Sequence, residues 1–388
     1  MLDARSARFA TLKFSEFYRS AHITVDRIGG KEFGFGDFDN TIAKRHIGFR
    51  DAKTLNAYLA AAVPASVSFS SAFYKDPEGR PMESKGWLGS ELVFDLDASD
   101  LHLPCQLAHG RSWVCQTCLD SVKREAFKLV DDFLVPDFAI PKSAIRINFS
   151  GNRGYHIHVA DERFYPLKTK EREQITGYIT ARGINMKAFF PTLGERAVDE
   201  ESGRPRNKAL TGPRPDDPGW GGKLARGVVS ALNSGEEALV SLNVDKTTAR
   251  KLVRNRANVI MGITMGNWDK VNIEHKADFW TGVLNGMAVG QTSSIDKNVT
   301  SGTEHLIRLP GTVHPGTGLM AKPVADLGKF DPMKESQLFA KGAVRVKIDK
   351  APELGIGGET FGPFEKETKE LPTAVALYMM LKRVAVLA

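Results

Sequence analysis

Apolar and polar positions follow a period of two along Leu92–Asp97, which reads Leu92-Val93-Phe94-Asp95-Leu96-Asp97. Successive side chains of an extended chain point to opposite faces, so Leu92, Phe94 and Leu96 are predicted to face a core. Asp95 and Asp97 then share the other face with Val93. A second such run, Ile145–Val159, reads as strand, glycine turn and strand, with Tyr155, Ile157 and Val159 alternating with His156 and His158. Helical spacing predicts an opening helix over Phe9–Ala21, a second over Thr54–Ala62, an amphipathic third over Val114–Phe133 and a closing one over Leu371–Leu387. Gly29–Phe49 reads as short strands and turns, and Val344–Ile348 as a late strand.

Texture changes between residues 166 and 285. There helical segments surround a polar interval rich in Gly and Pro, Gly194–Gly222, which reads as a loop or a disordered stretch. The predicted organisation is an α/β (α+β) core formed by residues 1–165 and 286–345, a mainly helical insertion at 166–285, and a C-terminal strand and helix segment at 346–388. No internal repeat is visible.

With 388 residues the chain can bury a large core. No apolar run approaches the roughly 20 residues that span a bilayer, and the first residues lack a signal peptide's apolar stretch. A cytoplasmic location and no membrane partner are the expectation. Lys and Arg number 53 against 46 Asp and Glu, a net charge of +7 that favours an anionic partner such as nucleic acid.

Two carboxylates side by side on a strand repel and raise each other's pKa, and a cation between them removes the problem. Oxygen ligands of this kind suit Mg²⁺ or Mn²⁺ completed by substrate phosphates. Taken singly, Asp-x-Asp is equally a strand running out into a solvated acidic turn. The three cysteines of the chain lie together: Cys105, Cys115 and Cys118, with His109 between them. Three thiolates and an imidazole make a closed tetrahedral set for structural Zn²⁺. His102 competes with His109 for the fourth place, and reduced cysteines without metal or a redox Cys-x-x-Cys are the alternatives.

In the turn Ser150-Gly151-Asn152-Arg153-Gly154-Tyr155-His156, small residues let the backbone approach a ligand while Ser150, Arg153 and His156 offer donors, a combination suited to phosphate. A hairpin with polar decoration is the plainer reading. Asp296 supplies a third acid. Arg308 and His314 flank the turn Leu309–Val313, although Arg308 has Glu304 within reach on the chain and His314 can be an ordinary loop histidine.

In this order, D-x-D, a zinc-type cluster, S-G-x-R-G-x-H, then Asp296 followed by H-L-I-R-L-P-x-x-V-H-P-x-T-G, the chain closely resembles the catalytic small subunit of archaeal and eukaryotic DNA primases. K-E-F-G-F-G, A-K-R-H-I-G-F and G-G-E-T-F-G-P-F resemble the archaeal members in particular, and the likeness covers essentially the whole chain. It implies a catalytic core of mixed sheets with a zinc-binding module at 102–120 and a helical insertion. It also implies template-directed primer synthesis on single-stranded DNA from NTPs or dNTPs by two-metal nucleotidyl transfer.

Asp95, Asp97 and Asp296 match the family's metal triad, and Ser150, Arg153 and His156 its triphosphate motif. Arg45, Arg308 and His314 match further basic positions around the nucleotide, with Arg153, Arg308, His156 and His314 expected to neutralise phosphate charge. Two positions depart from the pattern. Asn152 stands where eukaryotic relatives carry a second arginine, and Gly316 where a lysine often follows the His-Pro pair, so triphosphate binding is expected to be either weaker or completed by another cation such as Lys322. The resemblance further implies a heterodimer with a large iron–sulfur subunit and a nucleoid-associated location. The rival enzyme is a primase-polymerase or end-joining polymerase of the same superfamily; the non-enzymatic rival is a zinc-containing nucleic-acid-binding protein.

Overall fold

The computed structural model describes residues 2–191, 210–271 and 273–388. In chain order the elements begin with α1 (Ala4–Ser20), β1 (Phe33–Gly36), β2 (Lys44–Ile47), α2 (Ala52–Ala62), β3 (Ser66–Ser70), β4 (Ala72–Tyr74), β5 (Trp87–Ser90) and β6 (Leu92–Asp97). They continue through α3 (Cys105–His109), α4 (Gln116–Lys128), β7 (Ile145–Phe149), β8 (Gly154–Val159) and α5 (Thr169–Ile179). Helices α6 (Gly219–Ser234), α7 (Glu236–Val240), α8 (Lys246–Arg254), α9 (Arg256–Thr264) and α10 (Lys276–Gln291) follow without a strand. The chain closes with α11 (Lys297–Ser301), β9 (Leu306–Arg308), β10 (Lys322–Val324), α12 (Pro332–Glu335), β11 (Ala343–Ala351), β12 (Leu354–Ile356), β13 (Glu359–Phe361), β14 (Phe364–Pro372), α13 (Thr373–Leu381) and β15 (Ala385–Leu387).

These elements fall into two compact units. One comprises Met1–Val130, Ile140–Thr176 and Ser294–Ala388; the other comprises Asp131–Ala139 and Gly177–Ser293. The first holds two four-stranded sheets, ordered β2-β1-β3-β9 and β10-β7-β8-β6, and a three-stranded sheet β14-β11-β15. Every ladder among the described strands is antiparallel, a narrower arrangement than mixed sheets. Alternation in β6 takes the predicted sense: Leu92, Phe94 and Leu96 are fully buried, while Asp95 and Asp97 keep partial access to solvent. Both faces of β8 are covered, so its two histidines are as buried as its apolar residues.

In the second unit the core gathers around Trp220, Trp268 and Trp280, with Trp268 and Trp280 in edge contact at 4.9 Å. The buried pair Lys223 and Asp137 lies within it, joined by the Tyr178 hydroxyl on the same carboxylate at 3.0 Å. Residues 194–209 of the polar interval lie outside the described residues. Its last four residues, from Gly219, are already helical, because Trp220 and the glycines after it are buried as the first turn of α6.

Helix boundaries differ from the sequence pattern: α1 already starts at Ala4, capped by Asp3, and the third and last helices end early. The third helix is regular only over Gln116–Lys128 and then widens into a π-helical turn, Leu129–Leu134. The last helix stops at Leu381, and Ala385 and Leu387 instead pair with Ile348 and Val346 of β11. Helix α13 is buried on every side, so its apolar run carries no periodic signal to mark its end.

Candidate active site

Strand β6 sets the acids in place and β8 closes against it, with Asp95 opposite His156 and Asp97 opposite Gly154. A Cβ at Gly154 would lie 1.8 Å from the Leu96 carbonyl oxygen, so only glycine lets the two strands meet there. Asp296 arrives from another part of the chain: its N–H donates to the Asp95 carbonyl at 2.9 Å, and its carboxylate caps α11 through the Asn298 N–H at 2.8 Å. Burial, then the charges of Asp97 and Asp296, push the Asp95 carboxyl up to about 7. Burial also acts against Asp97, but a hydrogen bond from Arg153 Nη2 at 3.0 Å holds that carboxyl below its ordinary value. The charges of Asp97 and Asp296 both act on Asp95, and Asp97 is anchored by Arg153 and the Ser99 N–H at 2.8 Å; carboxylate oxygens of this kind suit a hard divalent cation that retains substrate oxygens.

The glycine turn between β7 and β8 abuts these acids. Ser150 Oγ accepts the N–H groups of Asn152 (3.3 Å) and Gly154 (3.2 Å), which shapes the turn. Gly151 has φ +81°, and a Cβ there would meet the His314 Cβ at 2.8 Å. Thr317 Oγ1 donates to the Gly151 carbonyl at 2.5 Å, so the segment after His314 clasps the turn. His314 Nδ1 accepts the Gly316 N–H at 3.0 Å, which leaves Nε2 to carry the hydrogen.

Both imidazoles are neutral in this arrangement. Burial, then the charges of His158 and Arg308, lowers His156 to about 3, with its Nε2 3.6 Å from Asp95 Oδ1. Burial and the charge of Arg308 hold His314 well below the usual histidine range. With no phosphate beside them they offer hydrogen bonds. Arg308, on β9, reaches Ser66 Oγ through two nitrogens at 3.4 Å each, and burial pushes it down to about 10. It does not pair with Glu304.

Arg45 is not brought to this place. It sits on β2, at the opposite edge from Arg308 of a four-stranded sheet, and two strands between them imply a separation of roughly 14 Å. Its guanidinium is bound to Glu32 at 2.8 and 3.1 Å.

The cysteine cluster closes as the spacing suggests. The ligand atoms of Cys105, His109, Cys115 and Cys118 all lie within 4.8 Å of one another. Cys118 Sγ is 3.5 Å from Cys105 Sγ, 3.8 Å from Cys115 Sγ and 3.6 Å from His109 Nε2. A tetrahedron with metal–sulfur bonds of about 2.3 Å has edges of about 3.8 Å, so the set fits such a metal without rearrangement. His109 Nδ1 is 2.8 Å from the Gly110 carbonyl, which orients Nε2 toward the sulfurs, whereas His102 lies outside the cluster with Nδ1 on the Asp100 carbonyl.

The profile of the DNA primase small subunit matches residues 94–326. The DNA primase small subunit PriS of Methanothrix thermoacetophila is 32% identical, over 98% of this chain and 98% of the relative. The chain belongs to the DNA primase small-subunit family. The PriS proteins of Methanococcoides burtonii (30% identical, 99% of each chain) and Nitrosopumilus maritimus (26%, 100% of each) extend the likeness over the full length.

In this primase chain the profile spans every site residue named above except Arg45. It stops short of one cation that the structure adds. The expected Lys322 is engaged by Glu335, whose carbonyl it meets at 2.9 Å. Lys382, just past α13, reaches the glycine turn instead, donating to Asn152 Oδ1 at 3.0 Å and to the Ser112 carbonyl at 2.6 Å. The only local signal for it is a cation at the end of a wholly apolar helix, where the helix dipole alone would favour one.

Proposed function

We propose that this primase small subunit is a DNA-directed nucleotidyltransferase that joins nucleotides into short primers on single-stranded DNA, with Asp95, Asp97 and Asp296 holding two divalent cations. The observation that carries the reading is the Asp95 carboxyl, pushed up to about 7 by burial and by the charges of Asp97 and Asp296, with no cation bonded to it among the described residues. A protein that merely bound a polyanion would gain nothing from it. Mg²⁺ or Mn²⁺ bound there supplies activation of the attacking 3′-hydroxyl and neutralisation of the triphosphate.

The chain's own groups position the reactants. Arg153 and Arg308 face the triphosphate as charges, Ser150 shapes the turn that receives it, and His156 and His314 contribute neutral hydrogen bonds. Arg45 belongs at the outer rim, because moving it inward would remove a partner from buried Glu32. Cys105, His109, Cys115 and Cys118 hold structural Zn²⁺, which leaves no position open for chemistry. The loop between His109 and Cys115 also supplies acceptor carbonyls, Arg111 O accepting from Arg153 Nη1 at 2.6 Å and Ser112 O from Lys382 Nζ. The template runs along basic surface, bound through its backbone and therefore sensitive to salt.

The test is labelled nucleotide incorporation on an unprimed single-stranded template, with NTPs and dNTPs supplied separately. Incorporation that needs Mg²⁺ or Mn²⁺ and disappears in Asp97→Ala is expected; no incorporation under any condition sinks the reading. Starting a strand means ordering a template and two nucleotides, a cost that one nucleotide pocket offsets poorly. A large iron–sulfur subunit is the partner we assign, forming a heterodimer at the nucleoid, since all three cysteines here are committed to the zinc cluster. Initiation on unprimed template should then depend on the partner more than extension of a preformed primer does; equal initiation with and without it would refute this division of labour.

A further inference from the structure

Lys382 is placed by the fold and not by its own helix. A lysine at a helix C-terminus ordinarily turns back to the last carbonyls of that helix. Here Nζ leaves α13 and bonds Asn152 Oδ1 in the glycine turn and the Ser112 carbonyl beside the cysteine cluster. Arg153, the next residue of the turn, donates Nη1 to the Arg111 carbonyl at 2.6 Å. Consecutive carbonyls of one loop therefore hold two cations side by side.

Its anchoring is firm. Tyr378, one turn earlier, is fully buried, with its ring 5.5 Å from Nζ and in edge contact with Trp113 at 5.4 Å. Arg383, the following residue, has φ +63° and turns outward to pair with Asp39 at 2.7 Å.

What Lys382 lacks is an anion. Arg153 has the Asp97 carboxylate, but among the described residues no carboxylate lies within ion-pair distance of Lys382. Two of its three N–H groups meet neutral oxygens and the third has no partner among those residues. Burial, then the charge of Arg153, pushes its ammonium down to about 7, against the opposing charge of Asp97 beyond ion-pair distance. A partly buried cation without a counter-ion is costly unless a ligand completes it.

We propose that Lys382 is a phosphate-binding residue of the nucleotide site, contacting the triphosphate of the incoming nucleotide beside Arg153. This rests on the reading of the acid cluster as a nucleotidyl-transfer site. Phosphate oxygens of the template strand offer the same chemistry, so the test separates the two sources.

The full chain and its Lys382→Ala and Lys382→Met variants are compared for equilibrium binding of dATP, dAMP and a single-stranded oligonucleotide, and for extension of a primed template. The Met variant keeps the stem that packs on Tyr378, and Arg383→Ala is a control of equal charge change. Loss of one charge-assisted hydrogen bond predicts that the dATP Kd and KM rise about tenfold to a hundredfold in both Lys382 variants, with kcat less affected. Binding of dAMP and of the oligonucleotide should be unchanged, Arg383→Ala should match the wild type, and Lys382→Arg should recover part of the loss. Unchanged dATP binding in a variant that melts like the wild type would overturn the proposal, as would a loss confined to the oligonucleotide. Weakened dATP binding in a chain that incorporates no nucleotide would uphold Lys382 and sink the function instead.

Discussion

The two ends of one short strand carry buried carboxylates with opposite fates. Glu91, immediately before β6, is met by Arg146 at 2.9 Å, His158 at 3.2 Å and Lys31 at 3.8 Å. Burial would raise its pKa, yet the His158 hydrogen bond and the charges of Lys31 and Arg146 bring it down to about 2. Asp95, four residues on, faces Asp97 and Asp296, and its carboxyl is pushed up to about 7. Each also has a β8 histidine beside it, His158 Nδ1 at 3.2 Å from Glu91 and His156 Nε2 at 3.6 Å from Asp95, although in register His158 pairs with Val93. Burial of an acid therefore does not mark a functional site; failure of the surrounding chain to compensate it does.

Breaking the acid cluster should produce the largest effect. Asp97→Ala removes a proposed metal ligand, and incorporation is expected to fall by about a thousandfold or more at saturating Mg²⁺ or Mn²⁺. Its melting temperature without added metal should fall modestly, because Arg153 and the Ser99 N–H lose the carboxylate they hold, an effect larger than the relief of Asp95. Substantial synthesis by the purified variant would remove the functional half of the comparison.

The other end should behave in the reverse sense. Glu91→Gln leaves buried Lys31 without its carboxylate, which predicts a stability loss of roughly 3–5 kcal/mol by denaturant unfolding, with activity per folded molecule retained. The pH dependence follows from the lowered pKa. Glu91 contributes stability above its ordinary value of 4.5, and that contribution is lost as pH falls through about 2, so wild type and variant should converge across this window. A constant difference down to pH 2 would show that the charge is not what stabilises.

Cys115→Ser tests whether the zinc cluster groups with the stabilising end. A stability loss on the order of 2 kcal/mol and a lower soluble yield are expected, with a smaller change in the chemical step. Metal analysis of the reduced wild type that finds no zinc would reject the cluster.

How much of this was legible along the chain depended on sequence distance. The D-x-D face, the glycine turn and the Cys-x-x-Cys end are local, and a period of two or a short spacing carries each of them. The approach of Asp296 to Asp95 was reachable only through the family resemblance, since nothing local ties residues 201 positions apart. Compensation was not legible at all. Glu91 and Lys31, or Arg45 and Glu32, resemble any other charges until strands bring them together, and Lys322 was a reasonable candidate until Glu335 engaged it. The end of α13 was missed for the opposite reason: a segment buried on all sides shows no periodicity to break.

The smallest predicted effect is the one that discriminates most finely between the two ends. Asp95→Asn keeps the shape of the side chain and removes one of the repelling charges, so in buffer free of Mg²⁺ and Mn²⁺ near neutral pH the variant should be more stable than the wild type. A gain of roughly 1–2 kcal/mol is expected, because partial solvent access screens the repulsion. The same substitution logic at Glu91 gives a loss, so the two isosteric amides should shift the unfolding midpoint in opposite directions. Saturating Mg²⁺ should then reverse the order at Asp95: metal that binds only the folded wild type adds stability by mass action, and the asparagine variant, with a weakened site, gains less. No such reversal is expected at Glu91, whose partners are already protein cations. If Asp95→Asn is less stable than the wild type without metal, or if Mg²⁺ raises both by the same amount, the acids of β6 are two structural ion networks and the distinction between its ends fails.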